Sequence, residues 1–396
     1  MAGHADGEVL ERRIENVLDF YYPACVDERG GYIAQLDPET GSVYDRDARH
    51  LVATARFVSN FSIGVRAGGP DWCTSAAAHG LRFLDTHHRD GERGGYAWLL
   101  DVTDPVDGTR SPYGHAFVLL AHARALEVGL DDHVSFDLRD RLVDVASLIE
   151  RRFREPAHDL LGCRLDADWN PIGAYRGQNA NMHACEAFLA AYETTDEQSY
   201  LERALTIARR VTVDLADPDG RIWEHYTEAW EPDHDYNRSD PRHQFRPWGF
   251  QPGHHAEWAK LLAALARHRE AAWLSDRAVE LFEYALTGWA DDGGFYYTLD
   301  FADEPVVADR YGWPVAEAIG AAAALHEATG EARYLEWYDR FWTYAVDRLV
   351  APGGSWYEKL TPDHEPVVTT DGPEVEPGYH PTGACFESLR MVGHGD

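Results

Sequence analysis

The chain has 396 residues, with 36 lysines and arginines against 68 aspartates and glutamates, which gives a formal net charge of −32. Such an acidic protein repels phosphate backbones and anionic lipid surfaces, so we expect neither nucleic acid nor membrane as a partner. Hydrophobic residues make up 44% and aromatic residues 12% of the chain. This composition predicts a large folded core and excludes an acidic disordered tail.

The basic residues are almost all arginines, since Lys260 and Lys359 are the only lysines. Together with the excess of carboxylates, this bias predicts a halophilic protein of a salt-rich cytoplasm, where screening weakens self-repulsion. Solubility or codon bias would produce a similar composition. The five cysteines form no CxxC pair, which is typical of reduced thiols in a cytosolic protein. The chain shows no signal-peptide pattern and no apolar run of 18 residues, so we expect neither a leader nor a membrane span.

One short pattern recurs along the chain: paired glycines, an aromatic-rich strand and an acidic turn. Clear copies begin at Gly30, Gly94, Gly293 and Gly353, and weaker copies begin at Leu161 and Gly220. Six copies in 396 residues correspond to a mean period of 66 residues. A period of this length indicates a repeat architecture in which each unit contains more than one element.

Helical periodicity and end signals predict two helices for each copy of the pattern. The predicted helices cover residues 8–21, 47–66, 72–86, 114–128, 136–153, 179–194, 197–213, 252–268, 271–288, 313–329, 332–349 and 381–392. Six helix pairs with short hairpins predict an all-α (α/α)6 barrel, formed by one catalytic domain over residues 1–396, with the more apolar even-numbered helices inside. An open superhelical solenoid is the alternative.

Polar and aromatic residues that could form an active site cluster at the starts of the even-numbered helices, which a closed barrel would bring to one mouth. The candidates are Tyr113, Asn179, His183, His254, Glu257, Trp313, Glu317 and His380, with Trp248 just before the eighth helix and Arg56 inside the second. A helix N-terminus disfavours the cationic form of histidine, so a neutral imidazole can act there as a base. An arginine would then stabilise the oxyanion that proton removal creates.

Other interpretations of these residues remain open. His254 and Glu257 share a helical face and could bind a metal, but HExxH and CxxC motifs are absent, so we expect no catalytic metal and no cofactor. The aromatic residues Tyr113, Trp248 and Trp313 could pack in the core or form a platform for a sugar ring. Paired carboxylates in such a pocket would also suit glycoside hydrolysis.

Four stretches of the chain resemble the N-acylglucosamine 2-epimerase superfamily. They are NANMH at 179–183, PGH at 252–254 followed by Glu257 and Trp258, WP at 313–314 followed by Glu317, and His380 before the last helix. The resemblance implies an (α/α)6 barrel and metal-independent proton transfer at C2 of a sugar. It implies acid/base roles for His254 and His380, and an enediolate-stabilising role for Arg56. Asn179, His183 and Glu257 would bind substrate, and Tyr113 and Trp313 would line the pocket.

The sequence FRPWG at 245–249 resembles the monosaccharide isomerases within that superfamily. This resemblance implies an isomerase that interconverts an aldose, D-mannose first, and its ketose, D-fructose. Our hypothesis is that His380, of the two histidines, is the base at C2. A sugar 2-epimerase would use the same residues and is the alternative. Val52 stands where some members of the superfamily carry a tryptophan. The sequence therefore does not predict the substrate contacts at the side of the pocket that Val52 would form. A non-catalytic sugar-binding role and the oligomeric state also remain open.

Overall fold

The computed structural model describes residues 3–243, 245–368 and 375–393, and twelve α-helices lie within these ranges. They are α1 (Gly7–Tyr21), α2 (Leu51–Arg66), α3 (Trp72–Phe83), α4 (Pro112–Glu127), α5 (Leu138–Arg152), α6 (Gln178–Thr195), α7 (Gln198–Arg209), α8 (Pro252–Ala266), α9 (Ala272–Thr287), α10 (Gly312–Thr329), α11 (Ala332–Tyr344) and α12 (Tyr379–Met391). All twelve predicted helices are confirmed, with ends that differ by a few residues.

The largest differences at helix ends have local causes. The second helix begins at Leu51 and not at Asp47, because the residues Ala48–His50 form a strand. Three outer helices end in a π turn, namely Leu84–His88 after α3, Arg210–Asp214 after α7 and Ala345–Leu349 after α11. A single turn of 3-10 helix, Leu130–His133, lies before α5.

The even-numbered helices form a closed inner ring. Each of α2, α4, α6, α8 and α10 packs against the next even-numbered helix, and α12 packs back against α2. The outer helices α3, α5, α7, α9 and α11 each cover the inner helix that precedes them, and α1 covers α12. This closure confirms the (α/α)6 barrel and excludes the open solenoid.

Burial explains which helices lie inside. In α10 every residue from Pro314 to Leu325 is buried, and many are alanines, so this helix can pack closely on all sides. The outer helix α11 buries one stripe, which includes Tyr334, Tyr338 and Phe341, and exposes a charged face. In the described part of the chain, no helix combines the length and the apolar character that a membrane span requires.

Short antiparallel strands connect the helix starts to one another around the mouth of the barrel. The strands are β1 (Ala48–His50), β2 (Leu99–Asp101), β3 (Asp104–Asp107), β4 (Arg154–Glu155), β5 (Leu160–Leu161), β6 (Arg164–Leu165), β7 (Pro171–Ile172), β8 (Arg176–Gly177), β9 (His225–Tyr226), β10 (Thr298–Leu299), β11 (Pro305–Val307), β12 (Arg310–Tyr311) and β13 (Lys359–Leu360). The segment before an inner helix pairs with the next hairpin: β1 with β2, β8 with β9, and β12 with β13. Single bridges, Arg110 to Leu165 and Phe250 to Leu299, do the same before α4 and α8.

The glycine pairs of the repeat allow the hairpins to lie directly on the outer helices. Gly31 has φ +70°, and a β-carbon at this position would lie 2.8 Å from the ring of Phe83 at the end of α3. The next residue, Tyr32, is buried and donates a hydrogen bond from its hydroxyl to the Ala76 carbonyl of α3. Glycine is therefore required both by the left-handed backbone and by the close approach.

Two buried histidines fasten hairpins to the first turns of inner helices. The Nε2 atom of His115 in α4 accepts a hydrogen bond of 3.1 Å from the Tyr96 amide, and its Nδ1 donates to the Ser111 carbonyl. His255 in α8 makes the equivalent contacts with the Ile222 amide and the Gln251 carbonyl. Each ring must be neutral to accept at Nε2.

Burial lowers the pKa of His115 and of His255 from 6.5 to about 4. Between these values the unfolded chain binds more protons than the folded chain, so stability is complete above about pH 6.5 and decreases as the pH falls toward 4. We expect each ring to contribute on the order of 3 kcal/mol to this decrease. His115→Gln should flatten the dependence of the unfolding free energy on pH in urea titrations between pH 4 and 7. His133→Gln, which changes an exposed histidine, is the matched control, and an unaltered slope in the His115 variant would contradict the assignment.

Candidate active site

A cavity of about 180 Å³ lies at the mouth of the barrel, where the inner helices begin. Eight of the ten residues predicted from the sequence line it: Arg56, Tyr113, Asn179, His183, His254, Glu257, Trp313 and His380. The other two, Glu317 and Trp248, lie elsewhere and are described below. The mouth also collects the N-terminal ends of helix dipoles, which favour negative charge on a bound molecule.

His254 is fixed by a buried carboxylate from a hairpin. Its Nδ1 lies 2.8 Å from Glu224 Oε2 and 2.9 Å from the side-chain amide of Gln178. The Gln178 amide also donates to Glu224 Oε2, and Gln178 Oε1 accepts a hydrogen bond of 2.8 Å from Trp258. Burial opposes ionisation of Glu224, but His254 and Gln178 outweigh it and hold the pKa of this carboxyl below its usual range. The carboxylate thus holds the proton of His254 on Nδ1 and leaves Nε2 for a molecule in the cavity.

His380 has a corresponding partner on a neighbouring helix. Its Nδ1 donates a hydrogen bond of 2.7 Å to Glu317 Oε1, and Glu317 Oε2 is paired with the ammonium of Lys260. Although burial opposes ionisation, Lys260 and His380 lower the pKa of Glu317 well below its ordinary value. Glu317 therefore acts from behind His380 and does not line the cavity.

The ring of Trp313 contacts both histidines. Its ring centroid lies 5.0 Å from that of His254 and 5.8 Å from that of His380. The indole packs against Gly253, where a β-carbon would lie 2.5 Å from its ring. This close packing fixes the spacing of the two imidazoles and presents an aromatic ring to the cavity.

Arg56 is a permanently charged donor at the opposite wall. Its guanidinium donates 2.8 Å to Glu376 Oε2 and 3.1 Å to the Tyr113 hydroxyl, and it lies 4.4 Å above the ring of Phe117. Burial opposes its charge, but Tyr113 and Glu376 outweigh the burial and raise the pKa of Arg56. The arginine is thus held in position to stabilise an oxyanion in the cavity.

His183, Glu186, Glu257 and Glu317 form a layer that lies deeper in the barrel than His254 and His380. Burial lowers the pKa of His183 to about 4, so its neutral ring donates from Nδ1 to Glu186 Oε2 at 3.1 Å. Burial, reinforced by the charge of Glu317, raises the pKa of Glu257 well above its ordinary value. Glu257 Oε1 is buried and accepts no hydrogen bond within the described ranges. Both influences favour the neutral carboxylic acid form of Glu257, which is able to donate a hydrogen bond into the cavity.

Asn179 and Trp248 occupy different surroundings. Asn179 lines the cavity, and its Oδ1 is buried without a hydrogen-bond partner among the described residues, which leaves an acceptor for a hydroxyl group. Trp248 does not line the cavity. Its indole donates to the His234 carbonyl at 2.7 Å and packs against Trp223 and Phe301.

Sequence reasoning missed Glu224, Gln178, Lys260 and Glu376 as parts of the site. Glu224 ends a weak copy of the repeat, so its position in a hairpin above the inner helices could have been noticed. Lys260 carried a stronger signal, because it is one of only two lysines and follows Glu257 by three residues on the same helix. Nothing local in the sequence singles out Gln178 or Glu376.

The carboxylates of this layer could be mistaken for metal ligands. Donor atoms of Glu257, Glu317 and His380 lie within 4.8 Å of one another. The ammonium of Lys260 already contacts Glu317, however, and supplies positive charge at this place. Two cations at one carboxylate pair would repel each other, so the donor set does not fit a divalent ion.

Comparisons with known proteins agree with the geometry. Residues 31–384 match the family model of N-acylglucosamine 2-epimerase (GlcNAc 2-epimerase). A D-mannose isomerase from Marinomonas mediterranea is 37% identical over 395 residues, which cover 97% of each chain. A crystal structure of D-mannose isomerase superposes with a TM-score of 0.93 at 36% identity, covering 98% of this chain and 99% of the other. A cellobiose 2-epimerase from Bacillus thermoamylovorans B4167 shares the fold, with a TM-score of 0.82 at 19% identity over 96% of this chain and 99% of the other.

The hydrogen bond that orients Gln178 predicts a difference between two buried tryptophans. Trp258 donates to Gln178, whereas the N–H group of Trp342 is buried without a hydrogen-bond partner in the part of the chain that the structure describes. Trp258→Phe should therefore cost about 1–3 kcal/mol more unfolding free energy than Trp342→Phe, because it leaves a buried acceptor unsatisfied. Urea unfolding of both variants measures the difference, and equal losses would show that the Trp258 bond does not stabilise the site.

Proposed function

Because the chain belongs to the N-acylglucosamine 2-epimerase family, we propose that it is an isomerase that interconverts D-mannose and D-fructose. One arrangement carries the proposal. Two imidazoles, His254 and His380, each have Nδ1 on a buried carboxylate, so that Nε2 faces one sugar-sized cavity beside Arg56. The relatives named D-mannose isomerase support this choice of sugar.

The proposed reaction begins with opening of the sugar ring. His380 Nε2 removes the proton from C2, and the electron pair moves toward C1 to form a cis-enediolate. The guanidinium of Arg56 stabilises the negative oxygen. His380 then returns the proton to C1 while His254 moves protons at the oxygens, so the ketose forms without net gain or loss of a proton. Asn179, His183 and Glu257 hold hydroxyl groups, and Tyr113 and Trp313 line the ring.

A sugar 2-epimerase is the second candidate, and one observation favours it. His254 and His380 have matching carboxylate partners and both contact Trp313, so either imidazole could exchange a proton at C2. Removal of the proton on one face and return on the other would invert C2 and yield glucose from mannose. The two reactions differ only in which carbon and which face receive the proton.

Proton NMR of the protein with D-mannose in D2O, with EDTA present, tests the function. We expect fructose as the first product, with deuterium entering from solvent. His380→Asn should lower kcat by about 10²- to 10⁴-fold, because it removes the base. His133→Ala, which changes an exposed histidine far from the proposed chemistry, is the control. Glucose as the first product would establish the epimerase, and full activity of a folded His380 variant would exclude this histidine from the mechanism.

We further propose that the protein is a halophilic enzyme of the cytoplasm and that residues 1–396 work as one catalytic unit on a free sugar. The net charge of −32 and the two lysines support the adaptation to salt. The closed inner ring supports the single unit, since all six inner helices contribute to one barrel.

The stability of this acidic chain should increase with ionic strength. At pH 7 we expect the Tm to rise between about 0.1 M and 1 M KCl, as the Debye length falls from about 10 Å to about 3 Å and self-repulsion is screened. The matched control is the same titration near the sequence pI of about 4.9, where the net charge is small and the rise should shrink. A Tm that is independent of KCl at pH 7 would contradict the halophilic assignment.

A further inference from the structure

Lys260 occupies a place in the barrel where a lysine is unexpected. It is the ninth residue of α8, one helical turn below Glu257, and only 13% of its side chain is exposed. The other lysine, Lys359, lies on a strand outside the inner ring and pairs with Asp309. A chain that uses arginine almost everywhere has therefore placed one of its two lysines inside the barrel, below the reactive histidines.

The ammonium of Lys260 lies at the end of a row of contacts that reaches the cavity. Its Nζ is hydrogen-bonded to Glu317 Oε2, and Glu317 Oε1 accepts from His380 Nδ1 at 2.7 Å. The row crosses three inner helices, α8, α10 and α12. Lys260 does not line the sugar cavity, so it acts on the reaction through its neighbours, and Glu317 is the one that it contacts directly.

Lys260 supplies the ammonium for the carboxyl groups of this layer. Glu186, Glu257 and Glu317 all interact electrostatically with it, and Arg56 is a second cation that acts on Glu257. Two arginines that line the same small cavity as Lys260 have other partners: Arg124 pairs with Glu127 at 3.0 Å, and Arg390 pairs with Glu193 at 2.9 Å. With one ammonium for three carboxyl groups, Glu317 keeps its charge through direct contact, and Glu257 takes the proton.

Two carboxylates lie near the ring of His380: Glu317 Oε1 is 2.7 Å from Nδ1, and Glu376 Oε2 is 3.6 Å from Nε2 and is paired with Arg56 at 2.8 Å. Because Glu317 makes the direct hydrogen bond, its charge governs which nitrogen of His380 carries hydrogen. A carboxylate can only accept, so it holds the proton on Nδ1 and leaves a lone pair on Nε2. Without the ammonium, two buried carboxyl groups, Glu257 and Glu317, would compete for protons. A protonated Glu317 would donate to Nδ1, the ring hydrogen would move to Nε2, and the atom facing the cavity would no longer be a base.

We propose that Lys260 is a positioning residue of the isomerase, whose ammonium keeps Glu317 as the charged partner of His380 Nδ1 and so keeps His380 Nε2 free to accept the C2 proton. The inference rests on the proposed function for its catalytic consequence. The tautomer of His380 is a property of the protein alone, however, and can be measured without a substrate.

The first test is the tautomer of His380, observed by ¹⁵N NMR of protein labelled in its histidine rings and assigned with the His380→Asn variant. The wild type should show the Nδ1–H form. Lys260→Met should show the Nε2–H form or a mixture. Lys260→Arg should keep the Nδ1–H form, because it retains the positive charge. A cavity of about 60 Å³ beside Lys260 offers room for the larger arginine side chain. An Nδ1–H signal in a folded Met variant, or loss of that signal in a folded Arg variant, would overturn the proposal.

The second test is kinetic and uses the same variants with D-mannose. We expect kcat of Lys260→Met to fall by about 10²- to 10⁴-fold, as for loss of a general base, while KM changes little. Lys260→Gln keeps a hydrogen-bond donor but removes the charge, so it is a second test if the Met variant fails to fold. It should lose activity to the same extent as the Met variant. Lys359→Met is the control for removal of a lysine from an ion pair, and it should keep the wild-type kcat.

The outcomes separate the two hypotheses. An inactive wild type with the expected change of tautomer would contradict the proposed sugar reaction and leave the role of Lys260 intact. An active wild type whose Gln variant keeps both its rate and its Nδ1–H signal would support the isomerase and exclude the charge of Lys260 as the positioning element.

Discussion

The inner helices all begin at one rim of the barrel, and the site depends on this constraint. Because parallel helices rise 1.5 Å per residue from a common level, the position of a residue within its helix gives its depth below the mouth. The second or third residues are Asn179, His254, Trp313 and His380, the sixth residues are Arg56, His183, Glu257 and Glu317, and the ninth residues include Glu186 and Lys260. The two histidines therefore lie above a level that holds Glu257 and Glu317, and the ammonium of Lys260 lies one helical turn deeper, level with Glu186.

The layering solves an electrostatic problem of the site. Three carboxyl groups, those of Glu224, Glu257 and Glu317, are buried beside His254 and His380. Burying an unpaired charge is costly, so each carboxylate needs a donor of its own. Glu224 uses the amide of Gln178, Glu186 uses His183 and the Tyr379 hydroxyl, and Glu317 uses Lys260. The site is acidic in composition, yet the carboxylates around it are held by internal partners.

The sequence predicted the helices and most of the cavity because both follow from local patterns. Apolar periodicity and the repeated glycine pairs determine where helices begin, and the helix starts converge once the ring closes. Trp248 was predicted either to pack in the core or to form a platform for a sugar ring, and its indole packs against Trp223. Glu224 and Lys260 could not be assigned from spacing, since their roles depend on contacts with residues 30 and 57 positions away.

The two histidines differ mainly in what lies behind their carboxylates. Glu224 is held by a neutral amide, so its full negative charge remains beside His254. The charge of Glu317 is shared with an ammonium, so His380 faces a carboxylate that is partly neutralised. The two imidazoles thus make the same kind of hydrogen bond to carboxylates whose surroundings differ in charge. This difference is the structural basis on which we propose different roles for His254 and His380.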